Sequence, residues 1–244
     1  MITRRAMLAA ATGAAASLAL PLTGRANASP GQPYLDRASW GADEALRFGS
    51  DGVETWPPAL FATQTLTVHH TVTANDDPDP AATVRAIYRD HAVVRGWGDI
   101  GYHLVIDGSG QVFEGRWSGG DHLPVFGDGA GPGGRPLMVN GGHVAGFNAG
   151  NIGVALLGDL SDRMPSPAAR RSLVAVLAGL AVATGLDPLG TTRYVNPISG
   201  ATATVDTISG HRNWQPTGCP GDRFYPELAA LRRDVARLVP RPGP

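Results

Sequence analysis

The chain has 244 residues, enough for one domain of ordinary to large size and too few for two comfortable ones. A net charge of -1 excludes a nucleic-acid partner held by bulk electrostatics, and the absence of any lysine excludes a lysine base, a Schiff base or an ammonium clamp. Glycine (33) and proline (20) together exceed one residue in five, which predicts a loop-rich protein, although helices and strands remain recognisable.

Residues 1–28 read as an export signal. Arg4 and Arg5 precede an alanine-rich apolar run ending at Leu20, and Ala26-Asn27-Ala28 supplies the small residues that cleavage after Ala28 requires. The paired arginines resemble a twin-arginine address, so the mature protein is expected outside the cytoplasm with no membrane span left after processing. Cys219, the only cysteine, cannot then form an intramolecular disulfide and would be prone to oxidation unless protected, for example by a metal.

Residues 29–58 are broken by proline and glycine and form the loop-rich opening of a domain that continues over 59–239, with Trp40 and Trp56 as packing residues. The segment 65–72 alternates as a half-buried strand should. Leu66, Val68, His70 and Val72 take one side, and Thr65, Thr67, His69 and Thr71 take a side expected to face a cleft. A helix is predicted from a cap at Asp79 to about 94, with Val84, Ile87, Tyr88 and His91 on one face. Gly108-Ser109-Gly110 then joins two strands, 102–107 and 111–116, as a hairpin. Residues 118–140, including a solvated His122, read as an insert, long for a loop in a compact domain. The apolar run 151–158 predicts a central strand covered on both faces, and Ser166-Pro167 opens a buried helix that stops before Gly185. A further strand over 202–208 and an amphipathic helix over 226–239 complete an α/β single domain, one central sheet flanked by three main helices.

The chemistry concentrates in the loop 209–221. His211 and Cys219 stand eight positions apart on a backbone stiffened by Pro216, Gly218 and Pro220. A histidine nitrogen and a thiolate suit zinc, although a lone cysteine is more often a small buried apolar residue. A third donor from the strand would tip that balance, and strand parity favours His69 for it while leaving His70 to the core.

Several blocks taken together resemble the peptidoglycan recognition proteins and the related zinc amidases. They are Val68-His69-His70-Thr71, the run from Gly96 to Tyr102-His103, Phe113-Glu114-Gly115-Arg116, Gly142-His143 to Asn148, Asn151-Ile152-Gly153-Val154, and Gly210-His211 to Thr217-Gly218-Cys219-Pro220. The resemblance implies a mixed sheet, a groove for a muramyl peptide, and zinc held by His69, His211 and Cys219. It also implies that Tyr102 and Thr217 serve catalysis beside the metal and that His143 and Asn148 line the groove. Read from the residues alone, Thr217, His143 and Asn148 could equally be loop-fixing groups. The insert 118–140 is longer than the family's usual link.

The activity so implied is zinc-dependent hydrolysis of the amide between N-acetylmuramic acid and L-alanine in peptidoglycan, by a secreted or cell-wall-associated monomer. Three protein ligands would leave a fourth position open for a water whose pKa falls toward about 7. The alternatives are a module that binds peptidoglycan without cleaving it, an amidase for another bond, and a thiol hydrolase using Cys219 and His211.

Overall fold

The computed structural model describes residues 34–119 and 124–240, so the predicted export signal and His122 lie outside the described residues. The opening stretch is pinned to the domain. Leu35 makes a parallel bridge to Phe113, and the buried Trp40 donates its indole N–H to the Glu114 carbonyl at 2.8 Å. In chain order the elements are β1 (Leu60–Ala62), β2 (Thr65–His70), α1 (Pro80–Arg89), β3 (Leu104–Ile106), β4 (Val112–Glu114), β5 (Phe126–Ala130), β6 (Pro136–Val139), β7 (Asn151–Leu156), α2 (Pro167–Thr184), β8 (Thr191–Val195), β9 (Thr202–Asp206), β10 (Ile208–Gly210) and α3 (Leu228–Leu238).

The main sheet runs β10-β2-β7-β3-β4, with parallel pairings except the antiparallel β3–β4 hairpin, so it is mixed. Leu66, Val68, Ile152, Val154, Leu104 and Ile106 pack on one face against α2 and α3, through Leu173, Leu177, Leu231 and Val235. Each fully buried leucine or isoleucine there contributes about 1.5–3 kcal/mol. The other face carries Val105 and Phe113 under α1 and the opening stretch, with Val84, Tyr88 and Trp40. The second side of β2 is covered instead by polar partners, Asn151 against Thr67 and His143 against His69. All six of its residues are buried, and the half-buried strand read from its alternation is corrected to a central one.

The helices start and stop where their capping residues dictate. Asp79 accepts from the Ala82 N–H at 3.0 Å at the head of α1, and Ser166 accepts from Ala169 at 3.0 Å at the head of α2. Gly185 closes α2 at a left-handed φ of 67°, where only glycine is at ease. The helix expected to reach 94 changes form at Asp90–Val94, a π-turn closed by Arg95 N–H onto the Asp90 carbonyl at 2.9 Å, which turns His91 inward.

Two further expectations are corrected. The insert 118–140 is not a long loop: β5 and β6 pair antiparallel, and β6 pairs with β1 in the register Leu60↔Val139, giving a three-stranded sheet. Only Phe126 and Gly127 of β5 are buried, so the strand exists through its partner and carries little propensity of its own. The strand expected over 202–208 is two: β9 makes a hairpin with β8, and β10 joins the main sheet beside β2.

Candidate metal centre

Parallel pairing of β2 with β10 sets the site. The register Val68↔Gly210 brings His69, near the end of β2, and His211, the first residue after β10, side by side, and their ring centroids lie 4.7 Å apart. Ligand sites in parallel sheets gather at such carboxyl ends. The loop after His211 returns Cys219 to the same place, held by the Arg212 N–H donating to the Cys219 carbonyl at 3.1 Å. The Arg212 guanidinium also donates to the Gly218 carbonyl and pairs with Asp222. The His70 N–H donates to Cys219 Sγ at 3.4 Å. The ligating atoms of His69, His211 and Cys219 all lie within 4.8 Å of one another.

These residues fit zinc. His69 Nδ1 and Cys219 Sγ are 3.6 Å apart. A tetrahedral centre with ordinary Zn–N and Zn–S lengths separates such donors by about 3.6 Å. His70, one residue on, points to the other face, where its Nδ1 accepts from the Leu160 N–H at 3.1 Å. Burial lowers His69 well below the ordinary histidine value, with His143 and His211 adding to the effect, and burial lowers His211 too. Burial pushes the Cys219 thiol up to about 12. The imidazoles are thus neutral, as metal ligands must be, and the thiol keeps its proton until a cation replaces it.

Beside the three donors lies a cleft of about 680 Å³, lined by His211 and walled by Trp56, His91, Trp97, Tyr102, Asn148 and Gln215 among others. The Tyr102 ring stands 5.3 Å from that of His69, and burial, reinforced by Cys219, raises its phenol above the ordinary tyrosine value. His143 sits behind His69, its Nδ1 3.0 Å from His69 Nε2. Asn148 Oδ1 accepts from the N–H groups of His143 (2.8 Å) and Val144 (2.7 Å), fixing the loop that forms one wall. Thr217 is exposed, and its hydroxyl accepts from the Cys219 N–H at 3.2 Å.

Residues 61–222 match the family described as N-acetylmuramoyl-L-alanine amidase. The chain belongs to that family. A human protein named N-acetylmuramoyl-L-alanine amidase is 32% identical over 182 residues, which cover 73% of this chain and 26% of the human protein, so the chain spans about a quarter of that relative. Drosophila peptidoglycan recognition protein LB has the same fold, with a TM-score of 0.56 at 24% identity over 81% of this chain and 92% of that one. So does peptidoglycan recognition protein LE, solved with tracheal cytotoxin, a monomeric diaminopimelic acid-type peptidoglycan: TM-score 0.56, 21% identity, 81% and 93% covered.

This amidase-family chain has cleft residues that sequence reasoning missed. His91, expected on one helix face with Val84, Ile87 and Tyr88, lines the cleft and accepts at Nδ1 from the Gly101 N–H at 3.0 Å. Gln215 places its amide nitrogen 2.9 Å from His211 Nε2, a contact that its spacing of four from His211 could have suggested. Trp56 is a wall residue held by a buried ion network. Arg116 lies 4.0 Å from the Trp56 ring centroid and donates to the Trp56 carbonyl, while Asp99 bridges Arg116 (2.7 Å) and Arg37 (2.9 Å). Pairing makes these buried charges tolerable. Trp97 lines the cleft, and Trp214 is buried against Tyr194 and Phe147.

Proposed function

We propose that this protein is a zinc-dependent N-acetylmuramoyl-L-alanine amidase that cleaves the amide between N-acetylmuramic acid and L-alanine of peptidoglycan. The observation that carries the reading is the convergence of His69, His211 and Cys219 at the floor of an open cleft, which His211 lines, in an amidase-family chain. Zinc held by these residues would supply a Lewis acid for the scissile carbonyl and would acidify a water. The chain supplies the rest. Tyr102, keeping its proton through the neutral range, donates a hydrogen bond that orients the nucleophile or the carbonyl. The Thr217 hydroxyl accepts from Cys219 N–H and retains its own proton to offer to the charge that develops on the carbonyl oxygen. His143 and Asn148 stand on the wall assigned to the stem peptide, and the Asn148 amide nitrogen has no partner among the described residues.

The name of one relative and the ligand of another point to peptidoglycan as the partner. Export through residues 1–28 would bring the enzyme to that substrate as a secreted or wall-associated monomer, and amino-terminal sequencing of the mature protein should then begin at Ser29. The deciding experiment treats purified peptidoglycan with the protein and follows the appearance of new L-alanine amino termini. Release abolished by a chelator and restored by zinc is the expected result. Binding to the wall with no new termini would make the protein a recognition module instead.

A further inference from the structure

Both ring nitrogens of His143 are engaged inside the protein. Nδ1 lies 3.0 Å from His69 Nε2, and Nε2 lies 2.9 Å from the Asn151 carbonyl oxygen. A carbonyl can only accept, so His143 Nε2 carries the proton and, in the neutral ring, Nδ1 is left as an acceptor. His69 must then donate from Nε2. Its lone pair is left on Nδ1, the nitrogen 3.6 Å from Cys219 Sγ.

We propose that His143 is a positioning residue: together with the Asn151 carbonyl it fixes the tautomer and ring orientation of His69 before any metal arrives. A metal-binding histidine ordinarily gives its second N–H directly to a carboxylate, a carbonyl or a water. Here a second histidine stands between the ligand and the carbonyl.

The surroundings hold the relay still. Asn151 opens β7, accepts at Oδ1 from the Thr67 hydroxyl at 2.8 Å and donates from Nδ2 to the Phe147 carbonyl at 3.1 Å. Asn148 grips the His143 and Val144 N–H groups from the other side. Gly153 lets the ring lie flat on β7, because a Cβ there would meet His143 Cγ and Cδ2 at 2.6 Å. His143 is only 7% exposed and cannot offer a ring nitrogen to a peptide without breaking one of its two bonds. This assignment rests on the metal reading and replaces the direct peptide contact that family resemblance gives to His143.

The test uses the full chain, stripped of metal. Two-bond nitrogen–proton correlation spectra report the tautomer of His69, and competition with a chromophoric chelator reports zinc affinity. In the parent, His69 should carry its proton on Nε2. His143→Leu should lose that single tautomer and bind zinc about 10–100-fold more weakly. His143→Gln can accept with its amide oxygen and donate with its amide nitrogen, and should recover most of the affinity. A parent His69 protonated on Nδ1 overturns the proposal, as does a folded His143→Leu that binds zinc like the parent. Should His143→Leu fail to fold, the parent spectrum and the Gln variant still decide. A parent that binds no zinc defeats the metal reading alone, and the His69 tautomer still judges the relay.

Discussion

His69 Nδ1 and Cys219 Sγ face each other across 3.6 Å although 150 residues separate them in the chain. Replacing Cys219 with Asp substitutes a carboxylate that can ligate zinc but cannot form a thioester. Cys219→Asp should therefore keep measurable zinc and some hydrolysis, whereas His69→Ala should lose most of its zinc and all detectable hydrolysis with its circular dichroism unchanged. Elemental analysis of the purified variants gives the answer. Full hydrolysis by a zinc-free protein would revive the thiol-hydrolase reading.

The Tyr102 phenol is held in its protonated form by burial. Tyr102→Phe removes one donor and leaves the zinc ligands in place. Its turnover should fall by about 10²–10⁴-fold with unchanged zinc content. An equal fall in bound zinc would mean that the ring supports His69 by packing alone.

A carboxyl outside the metal site adds its own pH dependence to stability. Glu114 is buried. Its Oε2 accepts from the Arg37 N–H at 3.2 Å, its Oε1 has no partner among the described residues, and burial raises its pKa from 4.5 to about 7. A raised carboxyl pKa means that the folded protein holds a proton the unfolded chain has already lost. The contribution of Glu114 to stability should consequently fall as pH climbs from about 4.5 to 7 and stay low above that range, opposing the buried histidines His91 and His103, whose lowered values make their own contribution rise with pH. Glu114→Gln should remove this slope, gaining roughly 2–3 kcal/mol at pH 8 and little at pH 4.5. Urea melts at the two pH values measure both.

Gly153 lies on β7 between two hydrogen-bonded neighbours, β2 and β3, so its backbone has little room to retreat. Gly153→Ala forces a Cβ to within 2.6 Å of the His143 ring unless that ring moves. The cost expected from such overpacking is about 1–3 kcal/mol. Zinc, by binding only the folded state, should stabilise the variant less than it stabilises the parent in paired thermal melts.

Much of this arrangement was legible in the sequence because local rules and tertiary contacts agree there. Asp79, Ser166 and Gly185 mark helix ends by their own hydrogen bonds and dihedral preferences, and the alternation around Val68 separates His69 from His70 whatever the strand pairs with. What escaped depends on a distant partner. β5 reads Phe-Gly-Asp-Gly-Ala and becomes a strand only because β6 lies beside it and β1 beside β6. Trp56 belongs to the cleft wall through Arg116, sixty residues away, and no local pattern announces that contact. The burial of β2 on both faces was hidden because Thr67, His69 and His70, polar in sequence, are paired inside the protein with Asn151, His143 and the Leu160 N–H.

The β5–β6 hairpin is fixed at one end and open at the other. At its base Val139 takes a hydrogen bond from His103 Nε2 at 2.7 Å, and Asn140 is held by Ala59 and Arg116 just before the chain enters the cleft. At its tip, a side chain added to Gly133 or Gly134 would meet no other atom within 4 Å, although both sit at positive φ. A fluorophore or affinity tag spliced between these glycines would leave the cleft undisturbed, which makes the hairpin a natural handle for tethering the protein to a surface or watching it on intact cells.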